Sequence, residues 1–136
     1  MAAYPINVTV GSAGALIEGD DGMRLTIPRN AFTSNVNVHI DPPYADRPPA
    51  IPGILRRSNG FEITPHNQGL AVAGTLVLPI YAQYWSEKSI LKLYTGPNIN
   101  EADPNGWFPQ PDYDDGRDGY KGGHITRLNA AFLGHT

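Results

Sequence analysis

The feature that most constrains this chain is hydrophobic alternation with a period of two, cut into short pieces by glycine and proline. Ile6, Val8 and Val10 alternate with Asn7 and Thr9; Met23, Leu25 and Ile27 alternate with Arg24 and Thr26; Val36, Val38 and Ile40 alternate with Asn35, Asn37 and His39. Successive side chains of a strand point to opposite faces, so each run predicts a strand with one buried and one wet face. Thr75–Tyr81 is more continuously apolar and predicts a strand covered on both sides. Its Pro79 has no N–H for a ladder and belongs at a strand end or edge. Further strands are expected from Ser89 to Tyr94 and within Gly123–Phe132. Gly11–Gly14, Gly19–Gly22, Ser58–Gly60 and Gly122-Gly123 supply the positive φ angles that turns require. The chain carries 15 Gly and 13 Pro, which leaves room for single helical turns only, at Pro28–Thr33 and Tyr81–Ser89. The expected fold is all-β, a single antiparallel β-sandwich of roughly 7–10 short strands, with residues 1–136 as one domain.

Two stretches leave the alternation. Residues 41–53 contain Pro42, Pro43, Pro48, Pro49 and Pro52 and read as an extended surface connection. Residues 97–120 read as a long acidic and aromatic loop. It holds Glu101, Asp103, Asp112, Asp114, Asp115 and Asp118 against Arg117 alone. Long loops in small domains are disproportionately functional.

Composition then narrows the functional classes. The net charge is −3 and charged residues are 17% of the chain, which lacks the basic footprint of a nucleic-acid binder. With no cysteine, disulfides, thiolate metal sites and cysteine nucleophiles are excluded. No apolar run approaches the ~18 residues of a membrane helix. The opening Met1–Pro5 lacks the basic and apolar regions of a signal peptide.

Three pieces, in order, carry a resemblance. Gly14–Ile17, Gly22–Phe32 (with Leu25-Thr26-Ile27-Pro28 and Ala31) and Val36–Val38 form the first. Phe61–Pro65 with Gly69–Tyr81 form the second, and Trp107-Phe108-Pro109 the third. Together they resemble the β-sandwich domain shared by ankyrins, netrin receptors, tight-junction scaffolds and many bacterial surface proteins. The likeness covers Val10 to Phe132. Asn30 stands where that family has glycine, and Gly74 where it has proline. Some relatives self-cleave at a C-terminal His-Phe-Ser; here Leu133 follows Phe132, so no autoproteolysis is expected. The resemblance implies the sandwich fold, a docking or structural role, and a core position for Trp107. It implies no substrate.

Candidate sites are few. His39, His66, His124 and His135 form no H-x-x-x-H pair, no serine sits in a nucleophile elbow, and no glycine loop leads into a helix to cradle phosphate. No catalytic residues are assigned. Asp112, Asp114 and Asp118 surround two glycines and are the candidate ligands for calcium, a cation that takes six to eight hard oxygens on a tightly turned loop. Their spacing departs from the helix–loop–helix calcium motif, and a solvated turn is the competing reading. Tyr84, Trp85, Tyr113 and Tyr120 are the candidate binding aromatics. Such rings anchor protein interfaces and also stack on sugars. Arg56-Arg57 reads as solubilising surface charge.

The expected role is therefore a non-catalytic structural or interaction protein. Its partners are proteins: copies of itself, or a scaffold such as a capsid. A virion decoration protein or a cell-surface component both suit. The alternative is a glycan-binding or adhesion module of a larger surface protein.

Overall fold

In the computed structural model, which describes all residues from Met1 to Thr136, strands hold 48% of the chain and 3-10 helix 9%, so the fold is all-β. The strands are β1 (Ile6–Val10), β2 (Ala15–Glu18), β3 (Arg24–Ile27), β4 (Val36–Ile40), β5 (Leu55–Arg56), β6 (Ile63–Thr64), β7 (Gln68–Pro79), β8 (Lys92–Gly96), β9 (Phe108–Pro109), β10 (Asp112–Tyr113), β11 (Tyr120–Leu128) and β12 (Ala130–His135). Four of these twelve are only two residues long, too short to leave a periodic signal in sequence.

All pairings between these strands are antiparallel. One sheet runs β10–β11–β7–β3–β2; two others run β1–β4–β6 and β5–β12–β8–β9. Phe61 and Ala131 exchange two backbone hydrogen bonds of 2.8 Å and join the last two into one layer. Between the layers lies a core of 22 buried residues. Seven of its members, Ile6, Val10, Met23, Leu25, Ile27, Val38 and Ile40, are alternating positions that the sequence marks, while Val8 and Val36 are only partly buried against it. Ile17 of β2, Leu25 of β3 and Leu76 of β7 stand side by side in register. Ile6 and Ile40, and Val10 and Val36, pair across β1 and β4. Cutting a fully buried Leu25 or Leu93 back to alanine costs about 2–5 kcal/mol, because the surrounding atoms refill the gap only in part.

Pro79 closes β7, as its missing N–H requires, and Leu76, Val77 and Leu78 are all buried, so this strand is covered on both faces. Asn30 takes φ 67°, the left-handed backbone that asparagine tolerates where glycine is usual. Gly122-Gly123, expected as a turn, lies inside β11, where Gly122 sits close against the Leu76 carbonyl, and neither it nor Ser58–Gly60 takes a positive φ. Two boundaries also differ from expectation. The strand expected from Ser89 begins at Lys92, because Ala82–Ile90 winds as a 3-10 segment. The expected last strand is two, broken at Asn129, because β11 pairs in one layer and β12 in the other.

The excursions from alternation have a packing cause. β12 is apolar on both faces, since Ala130 through Leu133 are all fully buried. Ala131 and Leu133 face the main core; Ala130 and Phe132 face away from it into a second cluster with Tyr94. That outward face needs a cover. Residues 97–107 supply Ile99 and Trp107, and the proline-rich connection supplies Ile51. Phe132 stacks on Tyr94 at 5.4 Å and meets Trp107 edge-on at 4.8 Å. Trp107 is 3% exposed, the core position that the resemblance implies. The stretch read as one loop over 97–120 is thus partly structured: it contains a 3-10 turn at Pro104–Gly106, β9 and β10.

Candidate functional site

The acidic segment lies on the outward face of the five-stranded sheet. In that sheet Glu18, Arg24, Val77, Gly122 and Tyr113 form one cross-strand row. Tyr120, two residues before Gly122 on β11, lies on the same face. From this row Arg24 reaches Glu18 and Asp115, each at 3.2 Å. Asp115 also accepts from Arg117 Nε at 2.8 Å and from the Arg117 backbone N–H at 3.1 Å. The Arg117 guanidinium then stacks on Tyr120, 3.8 Å from its ring centre. Another of its N–H groups donates to the Gly22 carbonyl at 2.8 Å. Burial pushes the Asp115 carboxyl up, but the backbone and guanidinium bonds from Arg117, with the charges of Arg117 and Arg24, outweigh it and leave the group below the usual carboxylate range.

The candidate calcium ligands stand in separate places. Asp112 pairs with Lys92 at 3.0 Å. Asp114 accepts the Gly116 backbone N–H at 2.8 Å and pairs with Lys88 at 3.2 Å. The Gly116 bond first, and Lys88 after it, hold Asp114 below the usual carboxylate range. Asp118 is exposed. No three His, Asp or Glu side chains gather as a metal ion would need. The carboxylates meet protein cations, a feature that net charge along the segment conceals because the partners Arg24, Lys88 and Lys92 lie outside it.

The candidate aromatics divide into two groups. Tyr120 opens β11, Tyr113 of β10 pairs with Gly122 beside it, and Trp85 of the 3-10 segment lies against Gly119, just before β11. Trp85 is 50% exposed, donates its indole N–H to the Ile80 carbonyl at 3.0 Å, and lies on Gly119, where a Cβ would come within 2.6 Å of the ring. Tyr120 donates to the Asp21 carbonyl at 3.2 Å. Tyr113 meets His124 edge-on at 5.4 Å. Tyr84 turns elsewhere: it packs against the main core, with the Arg57 guanidinium 3.9 Å from its ring centre. Arg57 in turn pairs with Glu87, which also meets His135.

A second region escapes sequence reasoning. Beside β9 opens a cleft of about 610 Å³, within the ~300–1,000 Å³ usual for ligand sites. Only Phe108 and Ile125 among its twelve lining residues are hydrophobic. Phe108 is 60% exposed. Across from it the turn after β6 and the β11–β12 corner are pinned together. The Asn67 backbone N–H donates to Asn129 Oδ1 at 2.9 Å, and Arg127 donates to Asn67 Oδ1 at 2.8 Å. Asn67 has φ 62°, which turns the chain sharply enough to face that corner. His66 on the rim is oriented by buried Glu62, whose other oxygen accepts the Ile99 backbone N–H at 3.1 Å. Gly96 lets Trp107 come close beneath the cleft, since a Cβ there would stand 2.7 Å from the indole. The lining residues come from four separate parts of the chain, and only an exposed aromatic beside Pro109 hinted at the site. No protein-family model and no curated protein matches the chain.

Proposed function

We propose that this is a non-catalytic interaction protein that joins a larger assembly through the surface around the start of β11, which bears Trp85, Tyr113 and Tyr120. A virion decoration protein or a cell-surface component fits that role. The observation that carries the reading is the fixing of these rings before any partner arrives. Gly119, Arg117, Asp21 and His124 each hold one of them. Pre-ordered aromatics lose little side-chain entropy on binding, which favours them as interface anchors. Light scattering over a concentration series, on the wild type and Trp85→Ala, tests self-association. Mass that grows in the wild type and not in the variant is expected if the partner is a second copy. If the partner is a scaffold, Trp85 fluorescence should change on mixing with a capsid or surface-layer protein. A strict monomer whose Trp85 emission responds to neither abandons the reading.

The alternative reading, a glycan-binding module, is favoured by a different observation: the polar cleft beside the exposed ring of Phe108. An aromatic face flanked by amides and hydroxyls matches a sugar, which offers C–H surface on one side and hydroxyls around its edge. Binding of any oligosaccharide that is lost in Phe108→Ala supports this second reading.

A further inference from the structure

The cleft is charged in one sense only. Arg127 is its permanent cation, and none of the lining residues is a carboxylate, although the chain as a whole carries 13 Asp and Glu and a net charge of −3. The fold also leaves Arg127 without an acidic partner. Five of the ten Lys and Arg, Arg24, Arg57, Arg117, Lys88 and Lys92, have carboxylates within ion-pair distance; Arg127 is among the five that have none, and of those five it alone lines this cleft. One of its N–H groups is spent on Asn67 Oδ1. A guanidinium has five such donors in a planar fork, so the fork stays available while the Asn67 bond aims it. Around it the polar groups are half-used. Asn129 accepts the Asn67 N–H through Oδ1, and its amide nitrogen has no protein acceptor. Gln110 donates its amide nitrogen to Thr95 Oγ1 at 2.9 Å and to the Phe108 carbonyl at 3.2 Å, and its amide oxygen has no protein donor. The cleft thus offers a free donor, a free acceptor, a flat apolar ring and one oriented cation.

We propose that the cleft binds a saccharide unit carrying a carboxylate, with Arg127 taking the carboxylate, Asn129 and Gln110 the hydroxyls, and Phe108 the C–H face of the ring. This deepens the glycan reading of the cleft and rests on it. A neutral sugar would leave the Arg127 fork without an anion; a purely anionic ligand such as inorganic phosphate would leave Phe108 uncovered. Uronic and sialic acids share the required chemistry.

Two matched pairs separate these sources by calorimetric titration of the intact chain: trigalacturonate against its methyl ester, and sialyllactose against lactose. The acidic member of at least one pair is expected to bind about tenfold more tightly than its neutral partner, the scale of a charge-assisted bidentate contact. The preference should shrink as salt rises. Arg127→Gln should bring the pair to equal affinity, and Arg127→Lys should keep part of the preference, because it retains charge and loses the fork. Phe108→Ala should weaken both members alike. Each variant is compared at an unchanged melting temperature; Arg127→Lys guards against a Gln variant that fails to fold. Equal binding of acidic and neutral members overturns the inference and leaves the glycan reading standing. A preference that survives in Arg127→Gln also overturns it. Absence of binding to all four sugars removes both.

Discussion

Arg24 and Asp115, separated by 91 positions in sequence, meet at 3.2 Å on the outward face of the five-stranded sheet. The contact ties the acidic segment to β3. Asp115 has only 8% of its side chain exposed and is held by Arg24 and Arg117 together. Removal of the carboxylate leaves Arg24 with Glu18 alone and Arg117 with only the Gly22 carbonyl and the Tyr120 ring, so Asp115→Ala should destabilise the fold by about 2–3 kcal/mol, the scale of hydrogen bonds to charged groups. Chemical denaturation measures it. The same carboxyl gives a pH signature. Its folded-state value lies below the ordinary one, so on acidification the unfolded chain takes up the proton first. Its stabilisation is complete above roughly pH 5 and drains away as pH falls past about 4 and through the folded value. Wild type and Asp115→Asn should therefore converge in stability at low pH.

Calcium should leave the melting temperature unchanged between a chelator and millimolar metal. Asp112 and Asp114 are each occupied by a lysine, and Asp115 by two arginines. A site saturated a thousandfold over its Kd would add about 4.1 kcal/mol, so a real site would be plain. A marked rise would mean that Asp112, Asp114 and Asp118 leave these partners and close on the ion.

Ser58 is fully buried where β5 leaves β12. Its hydroxyl donates to the Asn59 carbonyl at 2.9 Å and accepts the Leu133 backbone N–H at 2.8 Å. Ser58→Ala removes an acceptor and leaves that N–H buried without a partner, a loss of about 1–3 kcal/mol. Ser58→Thr keeps the oxygen and separates this cost from that of packing, read by the same denaturation experiment.

Lys121 faces inward from β11 with 7% exposure, and its ammonium reaches the Lys88 carbonyl at 3.3 Å with no carboxylate in ion-pair range. A buried ammonium with one long hydrogen bond is poorly compensated for lost water. Lys121→Met keeps the length of the side chain and removes the charge. It should hold or raise the melting temperature, with a gain of up to about 1 kcal/mol; a clear fall would show that the ammonium is better solvated than its burial implies.

Much of the fold is legible in the order of residues. β1, β3 and β4 coincide with the three alternating runs because one buried face imposes a period of two on the sequence itself. Pro79 marks the end of β7 because the loss of an N–H is a local fact. The two-residue strands β5, β6, β9 and β10 are not legible, since two residues show no period and pair only because a neighbour presents an edge.

The sequence by itself determined the all-β class, the turns at Gly14 and Gly22 and most of the core, because burial, backbone freedom and alternation act within a few residues. Tertiary structure alone decided what the irregular segments do. Residues 97–107 became a cover because β12 is apolar on both faces. The acids of residues 112–115 became structural braces because cations far away in sequence were carried to them. The cleft exists because Asn67, Phe108, Arg127 and Asn129 converge at the end of the sandwich. Charge and shape act through space, and the chain order does not record which groups space will bring together.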